Sequence, residues 1–145
     1  LRDGTKKMSK SDPSDYSRIM LNDDVNSIVQ KIKKAKTDSL PLPSSITEAE
    51  KRPEALNLIT IFAALSGQST SEIIKDYMGK EFSNFKNDLA DLATEKLEPI
   101  SLEIKKLMND QKYLDEIMKS GKEKAILTAE PVISKVYDII GFSNS

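Results

Sequence analysis

Apolar positions recur at helical spacing from residue 25 onward and nowhere alternate as a half-buried strand requires. Val25, Ile28, Val29 and Ile32 fall at i, i+3, i+4 and i+7 behind Asn22-Asp23-Asp24. Those acidic and amide side chains suit a helix start, because they can cap free N–H groups and complement the helix dipole. Pro41 and Pro43 rule out a helix through the Thr37–Ser45 connector, which the pattern leaves as either hinge or ordered loop. Pro53 then opens the most apolar segment, with Leu56, Ile59, Phe62 and Ala63 on one face and Gly67 beyond its end. Ser69-Thr70-Ser71-Glu72 reads as a capping box before a short helix that ends at Gly79.

The longest stripe follows. Ser83 is expected to cap a helix that reaches about Met108 through Phe85, Leu89, Leu92, Ala93, Leu97, Ile100 and Ile104. Pro99 should kink or break it. Asp110 opens another helix, with Tyr113, Leu114, Ile117 and Met118 on its inner face and Gly121 at its end. The last helix runs from about Lys122 to Ile140, bent by Pro131 and stopped by Gly141. The expected fold is all-α: a bundle of five to six helices over residues 23–145, preceded by an irregular segment over residues 1–22. Tyr77, Phe82, Phe85 and Tyr113 are expected in the core or half-buried rather than stacked on bases.

Composition narrows the chemistry. The 145 residues are 38% hydrophobic and 31% charged with a net charge of −1, a balance that fits a globular chain and advertises no global attraction to nucleic acid. There are no cysteines and no histidines. A disulfide framework, a thiol nucleophile, a histidine base and the usual zinc sites are therefore excluded within these residues. No apolar run approaches membrane-spanning length. Leu1-Arg2-Asp3-Gly4 carries neither an initiating methionine nor a signal pattern, so the start reads as a cut inside a longer, cytoplasmic protein.

Two basic stretches remain as candidate sites. Lys31, Lys33, Lys34 and Lys36 crowd the end of the first helix. They either solvate the surface and complement the dipole, or contact an RNA phosphate backbone. Lys6, Lys7 and Lys10 place three ammonium groups within five residues, beside the hydroxyls of Ser9 and Ser11. Ammonium groups act as compact point charges for phosphate oxygens. Asp12-Pro13 restricts the backbone immediately afterwards. Such a loop can close over a triphosphate and stabilise charge on departing pyrophosphate.

Lys7-Met8-Ser9-Lys10-Ser11 matches letter for letter the KMSKS signature of class I aminoacyl-tRNA synthetases, a string expected by chance about once in a million positions. The wider chain resembles the bacterial tryptophanyl branch of that family. Asp12-Pro13, Asn22-Asp23-Asp24, Thr37-Asp38-Ser39, Leu65-Ser66-Gly67-Gln68-Ser69 and Phe85-Lys86-Asn87-Asp88-Leu89-Ala90 carry the likeness by their order. The resemblance implies a C-terminal portion that begins just before the loop, with the Rossmann-type catalytic domain, its HIGH-like motif and the tryptophan pocket upstream. It implies a homodimeric ligase that uses ATP with Mg²⁺, tryptophan and tRNA(Trp), and a helical domain that helps recognise the anticodon. Lys7 and Lys10 would hold ATP phosphates, and Met8, Ser9 and Ser11 would shape the loop. The fragment itself would be inactive and bind no metal. A tyrosyl or other class I synthetase, and a non-catalytic helical RNA-binding or interaction module, remain as alternatives.

Overall fold

The computed structural model describes residues 1–142. Among them are a 3-10 turn at Asp15–Ser17 and six α-helices, with no strand: α1 Val25–Lys33, α2 Ile46–Glu50, α3 Pro53–Ser66, α4 Thr70–Tyr77, α5 Phe82–Met108 and α6 Gln111–Ile140. The all-α expectation holds, but the helix inventory differs in two places. The five-residue α2 lies beyond the reach of periodicity. It is made by its cap: the Ser45 hydroxyl accepts from the Glu48 amide, and Glu48 in turn accepts from the Ser44 amide and hydroxyl. Conversely, Gly121 ends nothing. It lies inside one continuous α6, because a lone interior glycine costs only about 1 kcal/mol relative to alanine and no proline stands in the turns next to it to enforce a stop. Pro99 and Pro131 likewise leave α5 and α6 unbroken. Each deprives a carbonyl four residues earlier of its donor, at Glu95 and at Leu127, and both of those residues are exposed, so water can satisfy the carbonyl.

The other helix ends follow the local chemistry. Asp24 caps α1 by accepting from Ser27, and the Ser69–Glu72 capping box opens α4. Gly67 turns left-handed at φ 77° to close α3, its N–H donating to Ala63. At its start α5 includes Phe82, so Ser83 lies inside the helix rather than before it.

The chain divides into two units, Leu1–Glu103 and Ile104–Ser145. Every buried apolar side chain lies in the first, between Leu1 and Ala93. Its centre is a trio of rings from three helices. Phe62, Tyr77 and Phe85 have centroids 4.9 to 5.4 Å apart, with Tyr77 edge-on to Phe85. Ile28, Ile32, Leu58, Ile59, Ile73 and Leu89 close around them with almost no exposure, and each such side chain stabilises by about 1.5–3 kcal/mol. The Thr37–Ser45 connector is an ordered loop, not a hinge. Arg52 grips both Asp38 carboxylate oxygens at 2.9 and 2.6 Å and also reaches Glu48 at 3.1 Å. Leu42 is buried and exchanges backbone hydrogen bonds with Gly79 and Lys80.

In the second unit α6 has no buried residue. Tyr113, Ile117 and Met118, expected on an inner face, are 45, 54 and 64% exposed. The physical reason is that this unit holds only the last residues of α5 and α6 itself, and one helix alone supplies no second layer to bury a stripe against. The last three positions of the expected helical domain, 143–145, lie outside the described residues.

Tyr77 makes the core measurable. Burial of its ring disfavours the phenolate, and the hydroxyl donates to the Asp88 carboxylate at 2.8 Å; together they push its pKa up to about 12. A phenol whose folded value is raised contributes stability that is intact below pH 10.0 and lost as the pH climbs through about 12. Phenolate absorbance titrations of the wild type and Tyr77→Phe should therefore differ by one tyrosine ionising near the top of that window. Superimposable alkaline titrations would disprove the assignment.

Candidate functional site

The KMSKS loop is stitched at its base and open at its tip. At the base, the Leu1 backbone nitrogen donates to the Ser17 carbonyl at 2.8 Å, and the Leu1 carbonyl accepts from Lys36 at 2.9 Å. One residue thus joins both ends of the loop to the segment just past α1, and its side chain is buried in the core. Gly4 packs against the first turn of α3 so closely that a Cβ there would lie 2.4 Å from the Pro53 carbonyl carbon and oxygen. A side chain at this position has no room.

Between these anchors the backbone makes two small turns. Asp3 accepts from the Thr5 hydroxyl at 2.6 Å and the Thr5 amide at 3.0 Å, and pairs with Lys6 at 3.4 Å. The Thr5 hydrogen bonds are the main reason its carboxyl titrates below the usual range. Asp12 closes the second turn by accepting from the Ser14 amide at 2.8 Å, as short acidic side chains do before proline-containing turns. The Ser9 and Ser11 hydroxyls share a hydrogen bond of 3.1 Å. Lys7 and Lys10 have no ion-pair partner among the described residues, and all five signature residues are exposed. Lys7, Met8 and Ser9 line a concavity of about 230 Å³ with Arg2, Lys6, Asp3 and Asp12, whereas Lys10 and Ser11 are not part of its wall.

The second basic stretch does not behave as one cluster. Lys31 is turned inward, 3% exposed, with its ammonium 2.7 Å from Asp23 and 2.8 Å from Asp15. Burial alone would lower its pKa, but the hydrogen bonds to Asp15 and Asp23 outweigh that and hold it above the ordinary value. Asp15 is correspondingly held below the usual carboxyl range, chiefly by the Lys31 hydrogen bond. Lys36 pairs with Glu54 at 2.9 Å, and Lys34 lies over the Tyr16 ring at 4.7 Å. Of the four, Lys33 alone extends without a side-chain partner among the described residues. Lys31 therefore departs from the expected RNA-facing set: an ammonium occupied by two carboxylates inside the fold is not presented to a phosphate.

Sequence reasoning placed the signature residues but missed what holds them: Leu1, Gly4, Asp15, Ser17, Arg18 and Asp23. One signal was available. Ile28, Lys31, Ile32 and Ala35 fall at i, i+3, i+4 and i+7, and all four are buried. A lysine on the apolar face of a helix asks for an acidic partner. The predicted stripe shares Ile28 and Ile32 with the buried one, but its other members, Val25 and Val29, are only half-buried, because the buried face is turned toward Lys31 and Ala35.

A lysine loop of this sequence, pinned at its base to an all-α body, defines a class. The chain belongs to the class I tRNA synthetases of the tryptophan and tyrosine type: the model of that family, "tRNA synthetases class I (W and Y)", matches residues 1–100. Within that class it is similar to tryptophan–tRNA ligases. The chain is 51% identical over 141 residues to the tryptophan–tRNA ligase of Mesorhizobium japonicum, covering 97% of this chain and 40% of that protein. It is 51% identical over 142 residues to the tryptophan–tRNA ligase of Rhizobium meliloti, with 98% and 40% covered. The crystal structure of tryptophanyl-tRNA synthetase from Mycoplasma pneumoniae superimposes with a TM-score of 0.73 at 27% identity, over 99% of this chain and 45% of that one. The chain thus spans about 40% of the length of the curated relatives it matches.

The close approach at Gly4 has a direct consequence. Gly4→Ala should lose stability in urea denaturation by about 1–3 kcal/mol, the usual range for forcing an extra methyl into occupied space. Gly121→Ala, with no atom within 4 Å of the added carbon, should instead raise the thermal stability of α6. Equal effects of the two substitutions would contradict the packing described.

Proposed function

We propose that this chain is the loop-and-helical portion of a cytoplasmic tryptophan–tRNA ligase. The intact enzyme activates tryptophan with ATP and transfers it to tRNA(Trp), and it works as a homodimer. The observation that carries this reading is that the likeness to tryptophan–tRNA ligases runs through nearly the whole chain, including the loop on which Lys7 and Lys10 stand unpaired.

In the first step a tryptophan carboxylate oxygen attacks the α-phosphorus of ATP. The bond from that phosphorus to the oxygen bridging to the β-phosphate breaks, and the electron pair leaves on pyrophosphate. Lys7 and Lys10 are ammonium donors with no carboxylate to give up, so nothing within the loop competes with phosphate for them. They supply charge where it accumulates in the transition state, which accelerates the step rather than merely binding substrate. Met8, Ser9 and Ser11 shape the tip. In this reading magnesium comes with the ATP phosphates, and no step is routed through it. No described helix is long and apolar enough to cross a membrane.

The amino acid and the reaction class are tested together by ATP–pyrophosphate exchange on the full-length enzyme. Exchange should depend on tryptophan and not on tyrosine. Lys10→Ala should slow it by about 10²–10³-fold, as removal of one charge-stabilising donor does, while the KM for tryptophan stays within a few-fold. Wild-type exchange rates in that variant would remove Lys10 from catalysis.

For tRNA, the reading assigns contacts to Lys33 and Lys34, with Lys36 at the edge and Lys31 held inside. Charge reversal at Lys33 and Lys34 should weaken tRNA(Trp) binding and reduce the slope of log affinity against log salt by about 1 per lysine that meets a phosphate. An unaltered slope would take both residues out of the interface.

A further inference from the structure

Lys31 has a use that burial alone does not explain. Its ammonium joins two carboxylates that belong to different parts of the chain: Asp23 in the turn before α1, and Asp15 in the 3-10 turn that follows the loop. Asp23 is anchored a second time by accepting from the Met20 amide at 2.8 Å. Asp15 also pairs with Arg18 at 3.3 Å. The Arg18 guanidinium then donates to the Asp12 carbonyl at 3.0 Å and the Ser14 carbonyl at 3.3 Å. A continuous polar strap thus runs from the core face of α1 to the backbone one residue past Ser11. The loop tip, with Lys7 and Lys10, carries no comparable restraint.

We propose that Lys31, Asp15 and Arg18 are positioning residues for the KMSKS loop: the strap fixes the C-terminal stem about which the tip closes on the ATP phosphates. The inference rests on the proposed function and adds residues to it. Three features set the strap apart from an ordinary surface ion-pair cluster. Its cationic end is 3% exposed and its pair with Asp23 is shielded from solvent, so the strap is rooted inside the fold while Asp15 forms its exposed link. Its far end holds backbone carbonyls of the stem rather than another side chain. The Arg18 guanidinium spans the link with both terminal nitrogens, one on the Asp12 and Ser14 carbonyls and the other on Asp15. Lysines that act on a transition state lose their effect when their support is displaced by even an ångström. The strap should therefore govern the catalytic rate and leave the amino-acid site alone.

The test uses the full-length enzyme and Asp15→Asn, since Asp15 is the exposed link and its loss leaves the Lys31–Asp23 pair in place. Tryptophan-dependent ATP–pyrophosphate exchange should show kcat reduced about tenfold, with the KM for tryptophan and the thermal midpoint unchanged. Asp15→Glu, which restores the charge, should recover part of the rate. The decisive measurement is the cycle against an enzyme carrying both Lys7→Ala and Lys10→Ala: if Asp15 acts by placing the tip lysines, its substitution has no further effect once both are gone. Wild-type kcat in Asp15→Asn overturns the inference, and so does a loss that multiplies independently with that of the two lysine substitutions, which is the signature of general structural damage. An enzyme with no tryptophan-dependent exchange at all overturns the proposed function, and the positioning role falls with it; exchange by the wild type confines any failure to the strap.

Discussion

Three lysines within five residues repel one another, and a loop that keeps two of them, Lys7 and Lys10, uncommitted cannot stabilise itself by folding onto them. Such a loop has to be held from outside. Around that constraint the first hundred residues are arranged. The backbone of Leu1 ties the two ends together and to α1, Gly4 lets the chain lie against α3, and the Lys31 ammonium draws the following turn down. The order sits in the base, while the tip lysines are left to whatever anion arrives.

The same division governs how charge is spent in this chain. Arg52 and Lys31 are committed to carboxylates and do structural work: Arg52 orders a proline-rich connector that periodicity could not place, and Lys31 joins two turns to a helix. Lys86, largely covered, donates to the Ala35 carbonyl at 2.7 Å and so completes the end of α1. Burial lowers its pKa, yet it has carbonyls rather than a carboxylate for company. Lysines that look alike in sequence therefore divide into pins and free donors according to which helical face they occupy, not according to how closely they cluster.

That distinction marks how far the sequence could be read. The capping box at Ser69, the left-handed glycine at Gly67, the proline start of α3 and the signature loop were legible because each is set by a few adjacent residues. The buried face of α1 was legible in principle, but it required treating Lys31 as part of the apolar stripe. The α2 turn was not, since five residues held by one serine cap carry no period. Gly121 and the apolar stripe of α6 misled for a different reason. A helical repeat announces a face that could be buried, and whether a partner layer exists is not written in the repeat. The network behind the loop was the least visible of all, because Asp15, Arg18 and Asp23 acquire their meaning only when α1 stands beside them.

The Leu1 stitch also has a consequence in time. Its carbonyl waits for the amide of Lys36, roughly twenty residues beyond the end of the loop it secures. A ribosome adding about 5–20 residues per second makes the loop a second or more before the segment that fastens it. During synthesis the loop is therefore an untied tether that carries its lysines into solvent. It takes on its restrained form only when the segment just past α1 has been made, so Lys36, three residues beyond the helix, acts as the clasp in the order of assembly.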